Sequence, residues 1–312
     1  MEIWLLLAIG AQIINAVVAI LDKYVVTSKT VLHPFSYAFY VSILSSLSVF
    51  VFFFDWVKLP RGITIPSFDN LVRPDAVLIG LCLFSGFLMF IALVNLYEAF
   101  SKTDASDAVP VVTSIAAIGT ILFEYVFLHD SFSEDKLIGF FLLALGTVLV
   151  SHLKFDKVLI LHTMLSGFAF AAYYALTKHI FDLTNFDTGF LYTRIGLVIA
   201  ALVIITLPRY RRRIFRKLRN RVVPKHKASA YVLGIKMMAG FASIMTLKAV
   251  QLGSVAIVQA IGGVQFLFLI IFSALFGRIT HIHFGENGGM LEIVHKGIAA
   301  AIIAAGLFFI FV

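Results

Sequence analysis

Asn95 to Ser151 reads NLYEAFSKTDASDAVPVVTSIAAIGTILFEYVFLHDSFSEDKLIGFFLLALGTVLVS. It holds the end of one apolar segment, a second from Ala105 to Leu128 and a third from Leu137 onward, the last two joined by the acidic loop HDSFSEDK. The same plan returns at an offset of 150 in Leu247 to Gly277, LKAVQLGSVAIVQAIGGVQFLFLIIFSALFG. Glu98-Ala99 falls on Lys248-Ala249, and Ala105-Ser106 on Val255-Ala256. At an offset of 160, KGIAAAIIAAGLFFIFV matches KLIGFFLLALGTVLVS, placing Lys296 on Lys136 and Gly306 on Gly146. A long-period repeat in an apolar chain points to a membrane transporter built from two related halves.

The fronts of the halves match as well. Ala11–Val26 lies over Ser166–Phe181 at an offset of 155, with Lys23 on Lys178, and Tyr40 lies over Tyr192 at an offset of 152. Working outward gives ten candidate spans: Ile3–Val25, Ser36–Val57, Ala76–Tyr97, Ala105–Leu128, Leu137–Ser151, Val158–Ile180, Gly189–Leu207, Ala228–Val250, Ser254–Phe276 and Ile293–Val312. Most reach the ~20 residues that cross ~30 Å of hydrocarbon at 1.5 Å per residue; the fifth is short. Five spans per half is an odd number, so the second half starts from the opposite membrane face. The expected fold is therefore all-α, ten transmembrane helices in two inverted five-helix repeats, 1–153 and 154–312. Open strands would leave backbone groups unpaired in lipid.

Composition agrees. Of 312 residues, 61% are hydrophobic and only 13% charged, and the mean hydropathy is +0.99. Soluble domains run near 45–50% apolar and about 25% charged. Phe occurs 32 times, which suits lipid-facing helix surfaces. The net charge of +8 is no nucleic-acid signature, because ten of the 25 basic residues sit in one loop, Arg209 to Lys227, beside apolar segments. The lone Cys82 cannot close an intrachain disulfide and reads as a small packed hydrophobe. No cleavable signal precedes the first segment, which is read as a retained span.

DASDAVPVVTSIAAIGTILFEYVFLHDSFSEDKLIGFFLLALGTVLV resembles the fourth and fifth helices of EamA-like transporters, a branch of the drug/metabolite transporter superfamily. The shared pattern is small residues and a proline, an aliphatic run, a Leu-Gly-Glu turn and a glycine-bearing closing helix. Here the turn is Leu128-His129-Asp130, and in the second half Phe276-Gly277-Arg278 stands there without an acid. Arg194 matches a basic position common in that family. The resemblance implies a transporter rather than an enzyme, in a cell membrane, with both termini in the cytoplasm. The positive-inside count places the odd-numbered loops, including the ten-cation loop, in the cytoplasm and both termini outside. Either way the termini share a side.

Charged groups inside spans are expensive and usually face a cavity or a partner. Arg194 and Lys236 are the expected anchors of a solute carboxylate or phosphate, against snorkelling to the interface as the plainer reading. Tyr40 and Tyr192, at one repeat position, and Tyr174 are expected to line the cavity. Asn15, Gln259 and Gln265 are uncharged and mid-span, where interhelical hydrogen bonding is the plainer reading. Glu98 and Glu124 are candidates for proton or ion coupling, against loop or headgroup contacts. Asp22-Lys23 reads as an interfacial anchor. The loop THIHFGENGGMLEIVH carries His281, His283, Glu286, Glu292 and His295 without strict metal-ligand spacing. No P-loop, GxSxG, HExxH or CxxC occurs, so neither ATP-driven transport nor standard hydrolysis has support, and no cofactor or metal is expected.

The leading expectation is a secondary-active exporter or exchanger of a small anionic or zwitterionic metabolite, working by alternating access as a monomer or homodimer. A lipid-linked phosphate-headgroup flippase is the alternative, and a membrane-embedded enzyme a more distant one.

Overall fold

The computed structural model describes residues 2–27, 33–57, 65–125, 134–151, 157–215, 225–280 and 290–311. Among them lie twelve α-helices: α1 (Ile3–Thr27), α2 (Pro34–Leu44), α3 (Ala76–Phe100), α4 (Ala105–Phe123), α5 (Glu134–Ser151), α6 (Lys157–Leu183), α7 (Phe186–Thr206), α8 (Pro208–Phe215), α9 (Lys225–Leu252), α10 (Val255–Ala260), α11 (Gly262–Thr280) and α12 (Met290–Phe311). No strand occurs among the described residues. Eight stretches of described helix are long and apolar enough to cross a membrane, and Gly297–Ile310 is a shorter apolar one. Helix is what lipid demands, since it satisfies every backbone group within the segment.

Three expected elements differ. The second span is not one α-helix: α2 passes into a 3-10 helix over Ser45–Phe54. The hydroxyls of Ser45, Ser46 and Ser48 donate to the carbonyls of Ser42, Ile43 and Ser45 at 2.6–2.7 Å, competing with the α-ladder and tightening it. The ninth span breaks at Ile261 into α10 and α11, one residue past the position that the 150 offset matches with Pro110 of α4. Part of the basic loop is helical: α8 buries Ile214, stacks Tyr210 on Phe35 at 5.1 Å and leaves Arg209, Arg211 and Arg212 exposed. Such a helix fits the membrane interface.

The packing is reciprocal under the sequence offsets. A Cβ on Gly139 of α5 would lie 2.6 Å from the Gly306 oxygen of α12, and one on Gly146 would lie 3.2 Å from the Ala299 oxygen. The 160 offset carries Gly139 to Ala299 and Gly146 to Gly306, so it exchanges these two contacts. Likewise Lys23 donates to the Phe100 and Thr103 carbonyls at the end of α3 (2.8 and 2.6 Å), and Lys178 donates to the Gln251 carbonyl at the end of α9 (2.8 Å). Both lysines thereby satisfy carbonyls that a helix C-terminus leaves open.

Across the bundle, α3 packs on α6 and α7, and α1 on α9 and α11. Gly86 and Gly196 set the α3–α7 crossing: a Cβ on Gly86 would overlap the Gly196 backbone, and one on Gly196 would overlap the Cys82 carbonyl. Small residues let membrane helices approach this closely. A hydrogen bond from Ser166 to the Ala92 carbonyl (3.0 Å) and a His162–Asn95 contact (2.9 Å) join α3 to α6.

Candidate functional site

Helices α1, α2, α3, α4, α6, α7, α9, α10 and α11, with the 3-10 segment, line a cavity of about 500 Å³. That is the size of a small-molecule site. Its wall is mostly apolar, with Met89, Phe50, Phe54, Phe170 and Phe241 on it. Of the expected site residues, the fold brings Asn15, Tyr174, Arg194, Lys236, Gln259 and Gln265 together on this wall. Gln12 joins them, accepting from the Asn15 amide at 3.4 Å.

Arg194 is 4% exposed. One Nη donates to the Ser243 hydroxyl of α9, and the guanidinium carbon stands 5.1 Å from the Phe190 ring centroid. Its Nε is buried with no hydrogen-bond partner. Among the described residues no carboxylate pairs with it. A buried cation with no carboxylate partner among the described residues leaves its charge uncompensated at the cavity wall.

Lys236 is also buried, but it is not open. Its Nζ donates to both oxygens of Asp22 on α1, at 2.7 and 2.8 Å, and approaches the Tyr97 hydroxyl at 3.3 Å. The hydroxyls of Tyr37 and Tyr97 donate to the same carboxylate, at 2.6 and 3.1 Å. The ammonium also lies 4.9 Å from the Tyr37 ring centroid and 5.5 Å from that of Tyr97. Asp22 is 4% exposed, so it is a buried cavity group and not an interfacial anchor. The two-cation wall expected from Arg194 and Lys236 is thus reduced, because Asp22, Arg194 and Lys236 are the formally charged side chains on the described lining. Their sum is one positive charge. The sequence signal for Asp22 was its spacing: Gln12, Asn15 and Asp22 fall at i, i+3 and i+10, one face of a helix.

Residues 2–152 match the EamA-like transporter family. Over these residues the chain is similar to EamA-like transporters. The family is part of the drug/metabolite transporter superfamily, and its members are membrane transporters and not enzymes. With this match and its eight membrane-length apolar helices, the chain is an integral membrane protein. Among solved structures, one described simply as "Crystal structure of protein" superposes with a TM-score of 0.57 over 96% of each chain, at 15% identity. That likeness concerns the fold alone. No curated protein matches the sequence.

The remaining expected residues lie elsewhere. Tyr40 packs edge-on to Phe39 (5.3 Å), and Tyr192 packs beside Leu78, Cys82 and Ile180. Both miss the described lining. The reason is helical phase: Tyr192 stands two positions before Arg194, about 200° round the helix at 3.6 residues per turn. Tyr40 similarly precedes the cavity-facing Val41 by about 100°. Glu98 is half-buried near the end of α3, off the described lining. Glu124 is buried just past α4 and accepts from the backbone N–H groups of Val255 (2.7 Å) and Ala256 (3.2 Å) and from the Ser254 hydroxyl (3.2 Å). It therefore covers the first amides of α10. The His281-to-His295 cluster lies outside the residues whose side chains the structure describes.

Proposed function

We propose that the chain is a secondary transporter of the drug/metabolite type, an exporter or exchanger in the cell membrane, carrying a small monoanion with an apolar body. Residues 1–153 and 154–312 are read as the two inverted repeats, with the solute between them and opening achieved as one rocks against the other. The observation that carries the solute class is Arg194, a buried cavity cation with an unused Nε and no carboxylate partner among the described residues. Coulomb attraction between Arg194 and an anion at ~4 Å is about 4 kcal/mol at an effective dielectric of 20, partly offset by desolvation. The single net positive charge favours a monoanion, or a zwitterion presenting its carboxylate, over a simple cation. Phe170, Phe241 and Met89 supply surface for the apolar body.

The test is flux in liposomes holding the purified chain, with a panel of labelled carboxylates, zwitterions and amines under an imposed ion gradient. Arg194→Gln is expected to weaken uptake of the preferred solute by about tenfold or more, the loss of a charged contact, with thermal stability nearly unchanged. Full transport by Arg194→Gln, or preference for a monovalent cation, overturns the reading.

A further inference from the structure

Asp22 and Lys236 stand 214 residues apart, on helices that belong to different sequence halves, yet meet with two hydrogen bonds at 2.7 and 2.8 Å. The repeat offsets supply an internal comparison. An offset of 155 carries Asp22 to Thr177 of α6, and the offset of 150 carries Ser85 of α3 to Ile235, the neighbour of Lys236. In the structure Ser85 and Thr177 do meet, hydroxyl to hydroxyl, at 3.2 Å, both buried. The α1–α9 junction is thus made with an ion pair, and the corresponding α6–α3 junction, within one residue of the matched position, with two neutral hydroxyls. Joining the helices does not require charge. Buried ion pairs are also weak stabilisers, because desolvating both partners consumes much of the attraction.

What distinguishes the charged junction is its position. Asp22 and Lys236 line the cavity, whereas Ser85 and Thr177 do not. Without Asp22, the cavity would present Arg194 and Lys236 together, two cations suited to a dianion. With Asp22 in place, four hydrogen bonds from Lys236, Tyr37 and Tyr97 converge on its carboxylate, and the ammonium is spoken for. The Tyr37 and Tyr97 rings, 4.9 and 5.5 Å from the ammonium, would help keep it charged in the absence of the carboxylate.

We propose that Asp22 is a specificity-determining residue: by occupying Lys236 it leaves Arg194 as the sole free cation of the described lining, so the site takes a monoanion and rejects a dianion. Rejection follows from charge, since a second negative group would sit beside a carboxylate already holding the only other cation, and selectivity is built by such repulsion. The inference rests on the reading of Arg194 as the anion ligand.

The experiment is equilibrium binding of radiolabelled benzoate and phthalate, one skeleton carrying one or two carboxylates, to the purified full chain in detergent. The parent is expected to bind benzoate over phthalate by about tenfold or more, and Asp22→Asn to shift that ratio toward phthalate by about tenfold or more. Asp22→Asn removes one member of a buried pair and so risks the fold. The double variant Asp22→Asn/Lys236→Gln restores the single positive charge with neutral groups, as in the Ser85–Thr177 junction, and is expected to return the parental preference. A ratio that stays within about twofold of the parent in a folded Asp22→Asn overturns the proposal, as does a double variant that prefers phthalate. Parental benzoate binding that persists in Arg194→Gln overturns the reading of Arg194 instead, and a parent that binds neither probe removes both.

Discussion

Replacing Glu124 separates its observed structural task from the proton-coupling role considered for it. Its carboxylate accepts at 2.7 Å from Val255 N–H, at 3.2 Å from Ala256 N–H and at 3.2 Å from the Ser254 hydroxyl, while the Ser254 Oγ accepts from Ile257 N–H at 3.4 Å. These contacts cover the opening amides of α10. Hydrogen bonds to a charged group contribute about 1.5–3 kcal/mol each, and a buried donor left unmade costs about 1–3 kcal/mol. Glu124→Ala strands two buried amides, and the expected loss is about 3–4 kcal/mol once partial relaxation is allowed. Glu124→Gln keeps an acceptor oxygen and loses only the charge and its attraction to the helix N-terminus, about 1–1.5 kcal/mol. At roughly 2–4 °C per kcal/mol, melting should fall by about 6–16 °C for Ala and about 2–6 °C for Gln. Cys82 provides the assay. It is the only cysteine and is 3% exposed, so a thiol-reactive fluorogenic dye reports unfolding in detergent. A Glu124→Ala protein that melts with the parent would refute the capping argument. So would Gln costing as much as Ala. If Glu124→Gln instead left melting unchanged and abolished the pH dependence of flux, proton carriage would be the better account.

Two further predictions use the same dye. Gly196→Leu is expected to cost about 3 kcal/mol or more, because its Cβ overlaps the Cys82 carbonyl. Gly80→Ala, with nothing within 4 Å of the new methyl, should raise stability by about 0.5–1 kcal/mol; equal effects at both sites would sink the close-packing account of the α3–α7 crossing. Lys23→Met removes bonds to two carbonyls and an ion pair with Asp104 and should cost about 2–4 kcal/mol, against about 1–2 for Lys178→Met, which removes one carbonyl bond and a partly exposed ion pair. The reverse order would show that the lysines do not hold the ends of α3 and α9.

Much of the architecture was legible in the chain. Apolar runs of membrane length dictate helices, because only helix pairs its own backbone groups in lipid. The positions matched as Lys23 with Lys178 and Gly146 with Gly306 make corresponding contacts in the structure, the lysines at helix ends and the glycines between α5 and α12. Helical phase also carried information that residue type alone concealed: it groups Asp22 with Gln12 and Asn15, and it turns Tyr40 and Tyr192 away from the cavity. Other features depend on partners remote in sequence. Glu124 became a helix cap only when α10 was brought to it, 131 residues on. Lys236 became a neutralised cation only when Asp22, Tyr37 and Tyr97 converged on it from three other helices. Residue type and spacing set which groups were costly to bury, since that depends on the side chain and the helix that carries it. Which of those costs were met by a partner, and which left Arg194 with an unused donor, depended on how the helices crossed, because a buried charge is stabilised by atoms a few ångströms away, wherever they lie in the chain.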